Sequence, residues 1–86
     1  MKTIRILYFA RLRETLGCTE ENVTLPQEVQ TVAALTGWLA ARGGVWAEEL
    51  GGRKVFRVAI NQDMARGNSE IPDNAEVAIF PPVTGG

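Results

Sequence analysis

Residues 2–9 alternate. Ile4, Ile6 and Tyr8 fall on one side, and Thr3, Arg5, Leu7 and Phe9 fall on the other. That period of two predicts a strand. The spacing then changes to four: Leu12 and Leu16 predict a short helix over 10–16, with Gly17 as its stop. Alternation returns over 21–25, where Val23 and Leu25 share a face before Pro26 ends the run. This second strand is short and expected to lie antiparallel to the first. Val32, Leu35, Trp38 and Leu39 then recur at helical spacing. Thr31 is placed to cap that helix, which is expected to run to Arg42 and end at Gly43-Gly44. Gly37 weakens its middle by about 1 kcal/mol relative to alanine. Residues 46–50 read as one irregular turn and Gly51-Gly52 as another. A third strand is expected over 55–60, with Phe56, Val58 and Ile60 on one side. Asn61-Gln62-Asp63 reads as a turn with Met64 just beyond, and Pro72-Asp73-Asn74 as a second turn. The last strand spans 76–80, with Val77 and Ile79 inward.

Strands gathered around one main helix predict an α+β fold. A β-grasp, ubiquitin-like arrangement fits: a mixed sheet, one main helix packed across one face, and a flexible diglycine tail at the C-terminus. The first and last strands are then expected to lie side by side and parallel. Residues 1–80 form the single domain and 81–86 an extended reactive tail. Parity carries a further expectation. If Ile4, Ile6 and Tyr8 face the helix, Phe9 faces away; if Val77 and Ile79 face it, so does Phe80. Two aromatics at neighbouring strand ends would make an exposed apolar patch, a common mark of a partner surface. The alternative puts Phe9 under the short helix and Phe80 under a loop.

Composition removes most other chemistry. The chain has 86 residues, 45% hydrophobic and 22% charged, enough for one modest core. Nine basic against ten acidic residues leave a net charge of −1, without the basic footprint of a nucleic-acid binder or of a protein held on an anionic membrane. No apolar run approaches the roughly 20 residues of a membrane-spanning helix, and charge interrupts any signal-peptide core near Met1. Cys18 is alone, so no internal disulfide is expected, and a reducing, cytoplasmic location is the simple reading. There is no histidine. A histidine-based triad or metal site is excluded, and one cysteine does not make a structural zinc site.

The most pointed motif is the terminal block Phe80-Pro81-Pro82-Val83-Thr84-Gly85-Gly86. Two prolines stiffen the exit from the last strand and stop it from continuing. Two glycines, having no Cβ, pass a narrow channel and adopt backbone angles closed to other residues. The six residues after Phe80 reach about 20 Å when extended, far enough to enter a pocket on another protein. The terminal carboxylate is therefore expected to be the reactive group.

This pattern resembles the ubiquitin-like sulfur carriers, and within them the small subunits of molybdopterin synthases. The blocks that carry the likeness are Ile6-Leu7-Tyr8-Phe9-Ala10-Arg11-Leu12-Arg13-Glu14, Ala59-Ile60-Asn61-Gln62, and Glu76-Val77-Ala78-Ile79 leading into the terminal block. It extends over essentially the whole chain, most generically between residues 27 and 54. The resemblance implies that a ubiquitin-activator-like adenylyltransferase uses ATP to join AMP to Gly86, that a sulfur donor protein then displaces AMP, and that a C-terminal thiocarboxylate results. It implies no permanently bound cofactor and no metal. By the same resemblance the sulfur is expected to go to cyclic pyranopterin monophosphate and to build the molybdopterin dithiolene in molybdenum cofactor biosynthesis. The resemblance thus implies the small subunit of a sulfurtransferase, a co-substrate and not catalytic alone. The partner implied is the synthase large subunit, in a heterotetramer. By the same likeness Gly85, Thr84, Val83, Pro82 and Pro81 are the inserted tail, and Phe9, Met64, Phe80 and Arg13 are the partner interface. Parity agrees for Phe9 and Phe80. It does not speak for Met64, which as a lone methionine is commonly core, or for Arg13, which is commonly a solvated surface residue.

Other residues have plainer readings. Cys18 is a passive residue near a helix end before it is a sulfur relay, and Trp38 and Trp46 are core packing before they are a ligand platform. Gly51-Gly52 lacks the Lys-Ser/Thr of a phosphate loop. Two rivals use the same terminal adenylate: a sulfur carrier for thiazole synthesis, and a ubiquitin-like modifier joined to target lysines through Gly86. A third is a non-catalytic interaction module with an idle tail.

Overall fold

The computed structural model describes residues 1–82. Val83, Thr84, Gly85 and Gly86, on which most of the tail expectations fall, lie outside the described residues. The elements are β1 (Lys2–Tyr8), α1 (Ala10–Leu16), β2 (Glu20–Leu25), α2 (Val32–Ala40), α3 (Val45–Leu50), β3 (Arg57–Ile60), β4 (Asp63–Ala65) and β5 (Glu76–Phe80). They form one sheet in the order β2-β1-β5-β3-β4. β1 and β5 are parallel, and every other neighbouring pair is antiparallel. This is the expected β-grasp.

The alternation along β1 and β5 decides which face is the core. Ile4, Ile6 and Tyr8 are buried, as are Val77 and Ile79, and they share one cluster with Leu12 of α1 and Leu35 and Leu39 of α2. Burying one such aliphatic side chain is worth roughly 1.5–3 kcal/mol, so a one-residue slip of β1 would turn the whole inner row to solvent. Gly17 ends α1 as expected, in the left-handed region at φ 66°, with its N–H donating to Arg13 O at 3.1 Å. Thr31 caps α2: its Oγ1 accepts the Ala34 N–H at 3.2 Å.

The structure departs from the sequence expectations at four places. The buried stripe of α2 is Val32, Leu35, Thr36 and Leu39. Trp38 is only partly buried, because a side chain three residues beyond Leu35 falls on the flank of the stripe. Thr36 occupies the buried place, its hydroxyl donating to Ala33 O at 3.2 Å. Residues 46–50, expected as an irregular turn, belong to the helix α3 (Val45–Leu50), with Leu50 and Glu49 buried. β3 begins at Arg57, and Val55 stands 62% exposed outside it. β4 was not expected. Asn61 and Gln62 have φ of 49° and 73°, the two left-handed central residues of a tight hairpin. They fold Asp63, Met64 and Ala65 back against Ile60, Ala59 and Val58.

Candidate functional site: the outer face of the sheet

The helices take the face that carries Ile4, Ile6, Tyr8, Val77 and Ile79. The opposite face can be read row by row from the register. Leu7 pairs with Ala78, Ala78 with Ala59, and Ala59 with Met64. Directly paired residues share a face, so these four make an apolar row across β1, β5, β3 and β4. The next row, toward the C-terminal end of β5, has Phe80 opposite Arg57. Phe9 lies one residue past Tyr8, which pairs with Ile79, and the Phe9 N–H donates to Ile79 O at 3.2 Å. The two aromatics therefore stand side by side where β5 ends.

The row on the other side is charged. Arg5 lies opposite Glu76 and holds Glu20 through two hydrogen bonds of 2.9 and 3.1 Å. Those bonds push the Arg5 pKa up and the Glu20 pKa down. Arg57 borders the opposite side and makes no ion pair among the described residues. The result is an apolar strip between polar borders, as in a recognition surface with a desolvated centre and a polar rim. It is a face to be covered, without the convergent acid, base or nucleophile of a catalytic site. Among the described residues there is no group of His, Cys, Asp and Glu fit to hold a metal.

Phe9 is held from the backbone. Its carbonyl accepts the N–H groups of Leu12 and Arg13 at 3.2 and 3.4 Å. Ala10 follows at φ 53°, a conformation that costs a non-glycine residue about 1–2 kcal/mol.

The expected interface residues separate on this geometry. Phe9 is 44% exposed, Met64 is 65% exposed and Phe80 is partly exposed; all three lie on this face. The plainer reading of Met64 as a core residue is ruled out by its exposure. Arg13 reaches the site only through its backbone contact with Phe9; its side chain is exposed and makes no ion pair among the described residues. Pro81 and Pro82 follow β5 directly, half-buried and outside the ladder. Ala59 and Ala78, the floor of the strip, were not singled out from sequence. The available signal was parity: placing Val58 and Ile60 on one side leaves Ala59 on the other.

The residues read as bland from sequence have structural partners. The Tyr8 hydroxyl donates to Glu21 Oε2 at 2.7 Å, and Arg42 donates to both Glu21 oxygens at 2.9 Å. The Arg42 guanidinium lies 4.4 Å from the Trp46 ring centre and 5.8 Å from that of Trp38, while Tyr8 meets Trp46 edge to face at 5.5 Å. Burial, helped by the Glu21 carboxylate, pushes the Tyr8 hydroxyl pKa up. This network ties β1 and β2 to the ends of α2 and α3, on the side away from the strip. Cys18 is partly buried, with Sγ 3.5 Å from Glu20 O. Burial, then the Glu21 charge, pushes its thiol pKa up, which makes it a poor nucleophile at neutral pH.

Comparison with known proteins adds identity to this geometry. The ThiS family matches residues 6–86. The molybdopterin synthase sulfur carrier subunit of Escherichia coli (strain K12) is 39% identical over 83 residues, which is 96% of this chain and 99% of that protein. The crystal structure of small archaeal modifier protein 1 from Haloferax volcanii superimposes with a TM-score of 0.66 at 27% identity, covering 96% of this chain and 100% of that one. A chain in the complex of subunits 1 and 2 of molybdopterin-converting factor from Helicobacter pylori 26695 has a TM-score of 0.66 at 20% identity, over 98% of this chain and 99% of that one. This last likeness is one of fold.

Proposed function

We propose, from the premise that the chain belongs to the ThiS family, that it is the sulfur carrier subunit of a molybdopterin synthase. The observation that carries the reading is the family match running through residue 86. A relative 39% identical over nearly its whole length bears that subunit's name. The strip beside the end of β5 supports it: a chain whose work is done at residue 86 needs a separate surface by which partners grip it.

The chemistry follows from the carboxylate. An α-carboxyl pKa near 3.5 leaves it ionised and a poor electrophile at neutral pH. Attack of the Gly86 carboxylate on the α-phosphorus of ATP, on an adenylyltransferase, releases pyrophosphate and leaves an acyl-adenylate. A sulfur donor then attacks the carbonyl carbon and AMP departs with the bonding electron pair. From a persulfide donor the product is an acyl disulfide, which a second thiol cleaves by forming a disulfide with the donor cysteine, so that Gly86 ends in a thiocarboxylate. Docked on the large subunit by Phe9, Met64 and Phe80, the carrier extends residues 81–86 into that subunit's active site. Two such deliveries convert cyclic pyranopterin monophosphate into the dithiolene of molybdopterin. Each delivery returns a plain carboxylate, so the carrier is recharged between turnovers. Gly85 and Gly86 pass the channel because they carry no Cβ, and Pro81-Pro82 stiffen the approach.

A second reading has its own support, the likeness to small archaeal modifier protein 1 at 27% identity. There the same adenylate would end in an isopeptide bond to a lysine. The two part at the acceptor. Carrier loaded with sulfur and mixed with the large subunit and cyclic pyranopterin monophosphate is expected to yield molybdopterin in proportion to the thiocarboxylate consumed. No molybdopterin, with the carrier appearing instead in lysine-linked conjugates, would favour the modifier.

A further inference from the structure

We propose that Glu49 is a positioning residue for docking: through Arg11 it holds the start of α1, and with it Phe9, in the orientation that the large subunit binds. This rests on the docking-face reading above. Glu49 is 2% exposed on α3, yet it is charged. Its Oε1 accepts from Arg11 Nη1 at 3.0 Å and its Oε2 from Lys54 Nζ at 2.8 Å. One buried carboxylate thus ties α1 to α3 and to the segment before β3. Burial of the carboxylate carries a desolvation cost that its half-exposed cations only offset, so what the contacts add is a cross-link between α1, α3 and the segment before β3.

The geometry it fixes lies at the β1–α1 corner. Phe9 is exposed and stands outside the core cluster and its flanking apolar residues. Packing does not aim it; the backbone on either side does. Next to it Ala10 is held at φ 53°, which persists only where the surroundings over-determine it. On one side the restraint is the Phe9 N–H bond to Ile79 O. On the other are the Leu12 and Arg13 N–H bonds to the Phe9 carbonyl and the burial of Leu12, to which Arg11 adds a tether from its 44% exposed side chain to the Glu49 carboxylate. Loss of that tether loosens the α1 side of the corner and with it the orientation of the aromatic, while the buried Leu12 keeps the helix in place.

The test is calorimetric titration of the full-length carrier with the purified large subunit. It compares Phe9→Ala, Glu49→Gln, Arg11→Met and the double variant Phe9→Ala/Glu49→Gln, each checked by circular dichroism at the assay temperature. A purely structural role raises the apparent Kd only by the reciprocal of the folded fraction, which is close to one for any variant that remains folded. The expected result is that Glu49→Gln and Arg11→Met each weaken binding by about five- to tenfold while folded. On the Phe9→Ala background, Glu49→Gln is expected to add less than about twofold, because there is no ring left to aim. Should Glu49→Gln fail to fold, Arg11→Met decides, since Lys54 still pairs with Glu49 there. Unchanged affinity for folded Arg11→Met or Glu49→Gln, with Phe9→Ala impaired, overturns the positioning role alone. Unchanged affinity for Phe9→Ala overturns the docking face, and the positioning role with it.

Discussion

The Phe9 N–H donates to the carbonyl of Ile79 at 3.2 Å, closing the Tyr8–Ile79 pair that ends the β1–β5 ladder, and Phe9 and Phe80 each follow that pair by one residue. Two aromatics, far apart in sequence, thereby come to the same end of adjacent strands, where the chain leaves the sheet. The parallel pairing of β1 with β5 is what allows it: in an antiparallel pair the end of β1 would lie opposite the start of β5. In the proposed docking, a partner that grips these rings would also hold the base of residues 81–86.

Phe80→Ala is expected to weaken binding to the large subunit by about 2 kcal/mol, roughly thirtyfold in Kd. Phe80 is only partly buried, so the free carrier should keep its fold. Titration calorimetry beside a thermal melt checks both. An intact fold with unchanged affinity would remove Phe80 from the interface.

Gly37→Ala is expected to stabilise the carrier by about 1 kcal/mol through helix propensity, raising Tm by roughly 4–8 °C for a domain of this size. A Cβ at Gly37 meets nothing within 4 Å, and the residue lies on the exposed side of α2, away from the strip. A melt should show the gain while the affinity for the large subunit stays level. A loss of stability would mean that α2 does not run through residue 37 as described.

Glu21 ties stability to pH. Burial opposes its ionisation, but the hydrogen bonds from Arg42 and Tyr8 outweigh that, and its pKa is lowered from 4.5. Because the folded-state value is the lower one, the stabilisation is fully present above the unfolded value. It is lost as pH falls through the folded-state value. Denaturant titrations from about pH 6 down to about pH 3 should show falling stability. Glu21→Gln should be less stable at neutral pH and show a shallower decline in acid. An equally steep decline in Glu21→Gln would assign the acid sensitivity elsewhere.

Cys18→Ser is expected to leave sulfur loading unchanged. The thiol is partly buried and its pKa is raised, so little thiolate is present at neutral pH. Loading assays on the variant beside the parent protein check this. A large loss would make Cys18 a relay in the transfer.

Much of this was legible in the chain, and the exceptions have physical causes. β1, β5 and α1 were readable because each has one clean period and a clear stop: Ile4-Ile6-Tyr8, Val77-Ile79, and Leu12-Leu16 before Gly17. β4 was not, since Asp63-Met64-Ala65 is too short to alternate. Its existence depends on left-handed angles at Asn61 and Gln62, and neither is the glycine that usually advertises such a turn. α3 was obscured because six residues show no repeat, and because its most buried polar member, Glu49, is a charge that only Arg11 and Lys54 make tolerable. Of the site, the aromatics followed from parity. Ala59 and Ala78 did not stand out, because small residues give a strip its flatness without marking it. The positions of Glu49 and Ala10 in the site depend on tertiary contacts and a backbone angle, which no local pattern encodes.

The most direct test of the central claim is the intact mass of the carrier after incubation with its adenylyltransferase, ATP and a sulfur source. Replacement of one carboxylate oxygen by sulfur is expected to add about 16 Da, located on Gly86 by fragmentation and absent when Gly86 is deleted from a still-folded chain. An unchanged mass, or an equal gain in the protein lacking Gly86, would contradict the account.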